Sequence, residues 1–118
     1  MAFTVDNTLK ALMLTALRDG LANGTLEIRD SGNVVLATFT LSATGGSVAT
    51  NVWTLAFTSG TVTAGATGTA ANAQMKVSGG TVRVTGLTVG TSGSDINLNS
   101  LSIVSGGSVT LTAATVTW

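Results

Sequence analysis

From Gly24 to the end of the chain, apolar residues alternate with threonine, serine and other polar residues, and short glycine-containing segments interrupt the alternation. Successive side chains of a β-strand point to opposite faces, so this period of two indicates strands with one buried face. Trp53, Leu55 and Phe57 share one face in this way and are predicted to lie in the core. About seven to nine short strands are expected, a number typical of a β-sandwich or a small barrel.

Turn residues separate the predicted strands. Residues 30–33 contain the aspartate, glycine and asparagine that hairpin turns favour. Residues 78–81 are predicted to form a two-residue hairpin turn in which Gly79 and Gly80 both have positive φ. Residues 105–108 repeat the same turn chemistry, so we expect a second hairpin there.

Two further glycine-rich segments are predicted to be irregular. Residues 42–47 are expected to form a loop between the first hairpin and the strand that contains Trp53. Residues 60–72 are rich in glycine, alanine and threonine, and are expected to contain a short edge strand and a long loop.

One segment near the N-terminus has the period of a helix instead. Its apolar residues recur at the spacing i, i+3, i+4, i+7 and i+8, and they are Leu9, Leu12, Met13, Ala16 and Leu17. A helix of about residues 7–19 is predicted, with Asp6 or Asn7 as its cap and Gly20 as a left-handed residue at its end. We expect the apolar stripe to pack on the domain's own sheet or, as the alternative, on a neighbouring subunit.

Together these elements predict a single domain that spans residues 1–118. A chain of this length buries enough surface to form a core without disulfides. The expected fold is mainly β: an antiparallel β-sandwich with strands from about residue 24 onward, preceded by one short N-terminal α-helix.

The composition excludes several classes of function. The chain has no histidine and no cysteine, so the commonest general base and all thiolate chemistry are missing. Charged residues make up 8% and balance to a net charge of zero, which is too little positive charge to hold a phosphate backbone. Mean hydropathy is +0.51, yet no apolar run has the length of a membrane span. We expect no nucleic-acid partner and no membrane association, and such a weakly charged surface favours association with other proteins.

Carboxylates are too few and too scattered to predict a catalytic or metal site. They are Asp6, Asp19, Glu27, Asp30 and Asp95. A serine or threonine nucleophile would need a base, and Lys10 and Lys76 lie in no recognisable motif. Asp95 follows a glycine loop and is expected to bond nearby backbone amides in a turn. We predict a protein that is not an enzyme, with no catalytic residue, no metal and no cofactor.

Two segments of the chain resemble a known family. They are GTLEIRDSGNVVLATFTL, from Gly24 to Leu41, and VGTSGSDINLNSLSIVSGGSVTLTAATVT, from Val89 to Thr117. Together with the preceding helix, their order resembles that of small virion proteins of tailed bacteriophages and prophages that act as capsid cement or decoration proteins. The strand at residues 73–77 departs from the family, whose members tend to carry an aromatic residue and an arginine there.

The resemblance implies a jelly-roll-like β-sandwich with a structural role, which is to bind the outside of a phage capsid and stabilise it. It implies the major capsid protein as a partner, copies of the same chain in a dimer or trimer, and a location on the capsid surface of the virion. The first residues lack the features of a secretory signal, so we expect synthesis in the host cytoplasm.

Apolar residues near both ends of the chain are the candidate partner-contact residues. Phe3, Val5 and Trp118 are apolar at positions where free chain ends are usually polar. Either they contact a neighbouring shell protein, or they close the domain's own core.

Two other functions are alternatives. One is a structural module of a phage tail or fibre base, which would share the charge-poor β composition. The other is a carbohydrate-binding β-sandwich. Sugar binding relies on exposed aromatic platforms, whereas aromatic residues are 4% of this chain and Trp118 is the obvious free candidate.

Overall fold

A computed structural model describes residues 5–117 of the chain. Within that range one α-helix precedes ten β-strands: α1 (Asn7–Leu21), β1 (Thr25–Arg29), β2 (Val35–Ala49), β3 (Val52–Phe57), β4 (Thr61–Thr63), β5 (Gly68–Thr69), β6 (Asn72–Lys76), β7 (Val82–Gly90), β8 (Ile96–Leu98), β9 (Ser102–Ile103) and β10 (Ser108–Thr117). The predicted mainly β architecture with one N-terminal helix is confirmed, and the helix continues past its predicted end.

Seven of these strands close into a barrel. Their order around it is β3-β2-β1-β6-β7-β8-β10, and β10 returns to pair with β3. β4 extends the pairing along β10, while β5 and β9 form a separate two-stranded sheet. The segment 60–72 thus supplies β4 and β5, in agreement with the short edge strand expected there. Closure pairs the backbone groups that the edge strands of an open sandwich leave uncovered.

The barrel is mixed and not antiparallel throughout. β7 and β8 run parallel, with Val89 paired to Ile96 and Gly90 to Asn97, whereas the other pairings between the described strands are antiparallel. The expectation of an antiparallel sandwich is corrected in this respect. Parallel neighbours usually need a long crossover that contains a helix, and the sequence has no helical pattern after residue 24. Residues 91–95 make the connection instead.

Side chains of this short connection hold it in place. The Thr88 amide donates to an Asp95 carboxylate oxygen at 3.1 Å, and the Asp95 amide donates to the Thr88 hydroxyl at 2.9 Å. Asn97 adds a second pair of bonds, since its side-chain oxygen accepts from the Ser94 amide and its NH₂ group donates to the Ser94 carbonyl. Asp95 thus accepts from a backbone amide as predicted, but that amide lies across the connection on β7 and not in a turn next to Asp95.

The loop predicted at residues 42–47 is wrong, because β2 runs through this segment. The register of β2 with β3 jumps from the pair Leu41–Phe57 to the pair Gly46–Leu55, so the residues between them bulge out of the sheet. Gly46 has a φ of +112°, and a side chain there would collide with the backbone carbonyl of Thr54. Glycine therefore allows the strand to resume its pairing after the bulge.

Apolar side chains of the strands fill the barrel. The largest fully buried strand residues are Leu26, Ile28, Leu36, Phe39, Leu41, Trp53, Met75, Ile96 and Leu98. Trp53 and Leu55 are buried as predicted, and Phe57 is partly buried against Phe39, edge to face, with 5.9 Å between ring centroids. The indole N–H of Trp53 donates to the Gly45 carbonyl of the bulge at 2.9 Å. The bulge thus satisfies the one polar atom of the largest core side chain.

The helix begins where it was predicted to begin and ends later. Asp6 caps it, because the Asp6 carboxylate accepts a hydrogen bond from the Leu9 amide at 2.8 Å. Gly20 lies inside the helix, so its predicted left-handed role is wrong, and Asn23 takes that conformation with a φ of +64°. The Asn23 amide donates to the Ser42 carbonyl of the bulge at 3.2 Å. Asparagine tolerates left-handed backbone better than most residues.

The three predicted turns have different outcomes. Residues 30–33 form the expected turn, in which the Asp30 carboxylate accepts from the amides of Gly32 and Val34. Residues 78–81 join the antiparallel strands β6 and β7, as a hairpin should, but Gly80 alone of the two glycines has positive φ. Residues 105–108 connect β9 to β10, which do not pair with each other. The prediction of a second hairpin there is wrong.

The two glycines of the β6–β7 turn allow a matched test. Gly80 has a φ of +90° and Gly79 does not have positive φ, while a Cβ at either position would have no atom within 4 Å. We expect Gly80→Ala to lower the free energy of unfolding by about 1–2 kcal/mol because of backbone strain. Gly79→Ala is expected to change it by less than about 0.5 kcal/mol. Urea unfolding followed by far-UV circular dichroism measures both, and equal losses would contradict this turn geometry.

Candidate interaction surface

The helix packs on β2 and β3 with a side that is turned by roughly 100° from the predicted one. Leu14 and Leu21 are buried, at 4% and 1% exposure, and Leu17 packs against the core in a partly buried position. Leu17 is thus the member of the predicted stripe that reaches the core. The prediction that Leu12 and Met13 cover the domain's own sheet is wrong.

An exposed apolar strip occupies the other side of the helix. It consists of Leu9, Leu12, Met13, Ala16 and Gly20, and we call it the outer helix face. The three large side chains, Leu9, Leu12 and Met13, are 48%, 61% and 44% exposed. At the spacing of an α-helix, the five residues fall within roughly 100° of its circumference. A contiguous exposed strip of this kind is characteristic of a surface that another protein covers.

Leucines on both sides of the helix explain why the periodicity selected the wrong side. Leu14, Leu17 and Leu21 have the spacing i, i+3 and i+7, which makes a second apolar stripe. The connection to β1 decides between the two stripes. The Gly24 amide donates to the Leu21 carbonyl, and the Leu41 amide on β2 donates to the Gly24 carbonyl. These bonds fix the end of the helix against the barrel with Leu21 buried.

The charged residues of the helix lie beside the outer helix face or behind it. Lys10 and Arg18 are half-buried, and Arg18 Nε donates to the Asp19 carboxylate at 3.0 Å. Asp19 is exposed and lies at the flank of the face, near its C-terminal end. The face itself carries no charge, which favours an apolar partner surface over a charged one.

Two hollows adjoin the helix. A groove of about 230 Å³ near its C-terminal end is lined by Ala16, Leu17, Gly20, Leu21, Val77 and Arg83. A wider hollow of about 430 Å³ near its N-terminal half is lined by Asn7, Thr8, Ala11, Leu12, Thr15 and Thr50. Neither lining includes a carboxylate or a lysine. Both hollows therefore suit side-chain packing better than acid–base chemistry.

A second group of exposed apolar side chains lies at the start of β2. Val34 and Val35 are 51% and 37% exposed, and Val104 in the segment before β10 is 62% exposed. We call these three residues the valine end. Gly45 lies beside Arg18 of the helix, and roughly 25 Å of strand separates Gly45 from Val35 when the bulge is taken into account. The valine end and the outer helix face are therefore distinct surfaces.

Backbone hydrogen bonds hold the segments of the valine end together. The Gly65 amide donates to the Leu36 carbonyl at 2.9 Å, which ties β2 to the segment after β4. The Gly106 amide donates to the Ala64 carbonyl at 2.9 Å, which ties the segment of Val104 to the same place. The exposed valines are thus carried by neighbouring segments with fixed backbones.

The sequence-predicted contact residues are placed only in part. Phe3 and Trp118 lie outside the described residues. Val5 is half-buried and directly precedes the cap residue Asp6, at the N-terminal end of the helix. The contact role of these three residues stays a prediction. Sequence reasoning missed the valine end. The signal available in the sequence was the position of three valines next to turn residues.

Charged residues of β1 and β6 are engaged with their neighbours on the barrel wall. Glu27 accepts a hydrogen bond from Gln74 at 2.6 Å and lies 3.1 Å from the Lys76 amine. Arg29 Nε donates to the Asn72 side-chain oxygen at 3.0 Å. Lys76, one of the two lysines considered as a base, is therefore an ion-pair partner of Glu27.

Within residues 5–117 the structure brings no group of candidate catalytic or metal-binding side chains together. No group of three or more histidine, cysteine, aspartate or glutamate side chains in that range could hold a metal ion. Its aromatic side chains, Phe39, Trp53 and Phe57, are buried or half-buried, so this range offers no platform for a sugar ring. The described part of the chain has one helix, and that helix lacks the length and the apolar character needed to cross a membrane.

Comparison of the chain with protein-family models, with curated proteins and with solved structures finds no match. The resemblance to phage decoration proteins therefore stays a prediction from the sequence.

The two sides of the helix predict losses of stability of very different size for the same substitution. Leu12→Asp is expected to lower the free energy of unfolding by less than about 1 kcal/mol, because the side chain is 61% exposed. Leu14→Asp places a carboxylate at a 4% exposed position and is expected to cost at least about 3 kcal/mol. Thermal unfolding in dilute solution measures both. A Leu12→Asp variant as unstable as Leu14→Asp would contradict the observed orientation of the helix.

Proposed function

We propose that the protein is a structural component of a tailed-bacteriophage virion, and that it binds the outside of the capsid and stabilises it without enzymatic activity. The observation that carries this proposal is the presence of two distinct exposed apolar surfaces, the valine end and the outer helix face, on one closed barrel. A protein that fastens a shell needs more than one contact surface and needs no chemistry between them.

In this proposal the valine end contacts the major capsid protein. The Val34 amide donates to the Asp30 carboxylate at 2.9 Å, and this bond holds the turn that carries Val34. The segment before β10 that carries Val104 is held by the Ser105 amide, which donates to the Thr67 hydroxyl at 2.9 Å. A surface with a fixed backbone loses little conformational entropy when it binds, so even a small apolar contact contributes net affinity.

Multiplicity is the second support for the proposal. A shell offers many identical positions, and joined weak contacts at such positions add up to strong binding. The chain has a net charge of zero and 8% charged residues, so the contact does not depend on long-range charge attraction. Binding by apolar burial is weakened little by moderate salt, in contrast to binding to a phosphate backbone.

The resemblance of residues 24–41 and 89–117 to capsid decoration proteins supports the same role. The proposal includes synthesis in the host cytoplasm and a final location on the virion surface. It also assigns contact roles to Phe3, Val5 and Trp118. A relationship of this fold to the jelly-roll sandwich is also part of the proposal. The protein measures 43 × 30 × 23 Å overall with the helix included, and a flattened barrel is close to a sandwich whose two sheets share their edge strands.

Capsids that lack the protein provide the test. Purified protein mixed with such capsids is expected to sediment with them and to saturate at a fixed ratio to the shell subunit. Bound protein is expected to raise the temperature at which the shells rupture, because it stabilises the state to which it binds. Val104→Asp is expected to abolish binding, since it places a charge in the contact, while leaving the unfolding temperature nearly unchanged at a 62% exposed position.

Val82→Asp is the matched control. Val82 is an exposed valine of β7, at 39% exposure, outside the valine end, and its substitution is expected to leave capsid binding intact. If the wild-type protein stays in the supernatant, and particles contain it only at the tail, the capsid proposal is wrong and a tail module takes its place. If both variants bind as the wild type does, the valine end is not the contact.

A further inference from the structure

The outer helix face is divided into a half with large side chains and a half with small ones. Leu9 and Met13 project at 48% and 44% exposure in the N-terminal half. Ala16 and Gly20 occupy the C-terminal half, where a Cβ at Gly20 would have no atom within 4 Å. The 230 Å³ groove, with walls that include Leu17, opens beside the small half. One face therefore carries both projecting side chains and a place to receive them.

We infer that the outer helix face binds the same face of a second copy, with the two helices antiparallel about a two-fold axis. At 100° per residue, Leu9, Met13 and the groove lie on the same side of the helix. A two-fold rotation about an axis perpendicular to the helix, near the level of Met13, places Leu9 of each copy over Ala16 and the groove of the other and sets the two copies of Met13 side by side. A parallel pairing would set large halves on each other and leave both grooves empty.

The flanking charge favours the same orientation. Asp19 is exposed near the C-terminal end of the face. In the antiparallel pair, Asp19 of each copy lies near the N-terminus of the partner's helix, where the macrodipole is positive. In a parallel pair Asp19 of each copy would lie near the C-terminus of the partner's helix, where the macrodipole is negative. The antiparallel helices also align their dipoles favourably.

The available area predicts a weak dimer. A face of five residues offers roughly 400 Å² per copy, about half of the roughly 800 Å² that each partner buries in a standard stable interface. Dissociation at low concentration is therefore expected. Pairing becomes favourable where copies are held close together, as on a shell. The inference rests on the helix alone and does not depend on the proposed binding to a capsid.

The chain has no cysteine, so a single introduced cysteine reports on the pairing without background. In the antiparallel dimer, residue 13 of each copy lies next to the two-fold axis, within disulfide reach of its counterpart. Residue 9 of one copy lies roughly 15 Å from residue 9 of the other, and it lies opposite residues 16 and 17. Met13→Cys is therefore expected to form disulfide-linked dimers, Leu9→Cys alone is not, and a mixture of Leu9→Cys with Ala16→Cys is expected to form the mixed dimer.

Thr85→Cys is the control, because Thr85 is exposed on β7 and belongs neither to the outer helix face nor to the lining of the groove beside it. Oxidation of Met13→Cys is expected to be roughly tenfold or more faster than that of Thr85→Cys, because pairing raises the effective thiol concentration. Sedimentation equilibrium of the wild-type chain is expected to show a concentration-dependent dimer, and Leu9→Asp is expected to remove it without altering the unfolding temperature of the monomer.

Three outcomes would overturn the inference. Cross-linking of Leu9→Cys to itself as fast as that of Met13→Cys would indicate a parallel pair. Cross-linking of every variant at the rate of Thr85→Cys would indicate random collision. A wild-type chain that stays monomeric at high concentration, combined with loss of capsid binding in Leu9→Asp, would assign the face to the shell protein. Loss of capsid binding in Val104→Asp with a normal dimer would instead leave this inference standing.

Discussion

The parallel pairing of β7 with β8 is the constraint on which the rest of the structure depends. It consists of two residue pairs, so it has little strength of its own, and the bonds between Thr88 and Asp95 and within the turn at Ser94 keep the connecting residues compact. Because β8 then runs beside β7, its other edge is free to pair with β10, and β10 can reach β3. Without this step the sheet would stay open between β7 and β10, and the apolar interior would be exposed along that gap.

Closure of the barrel also reduces the apolar surface that the helix has to cover. An open sheet needs a helix to cover its apolar face, and all apolar positions of that helix would then be used inside. In a closed barrel the strands cover one another, and three leucines, Leu14, Leu17 and Leu21, are enough to attach the helix. The remaining apolar residues are left outside, where they lower solubility and contribute nothing to the folding of one copy. The proposed contact with another molecule would account for them.

The sequence predicts the strands and the helix because both depend on local alternation. It also predicts a cap at Asp6 or Asn7, which the structure places at Asp6, and the turn at Asp30, because each uses a side chain that bonds its own neighbourhood. The features that it does not predict depend on contacts between distant segments. The bulge in β2 is fixed by the Trp53 indole and by the end of the helix, and the inward side of the helix is fixed by bonds from Gly24. Of the candidate site, the apolar residues of the helix were visible in the sequence, but the side that stays exposed was not.

Two weak surfaces on one rigid body have a consequence that neither has alone. In the proposed arrangement a two-fold dimer carries two valine ends, so each pair of copies can hold two shell subunits at once. The pair then binds the shell more tightly than one copy does, by a factor that depends on the effective concentration of the second contact. Because each surface is too small to hold a partner in dilute solution, pairing and shell binding strengthen each other only where the shell already exists. This coupling would restrict assembly to the capsid surface and keep free copies apart, although their exposed leucines and valines favour association.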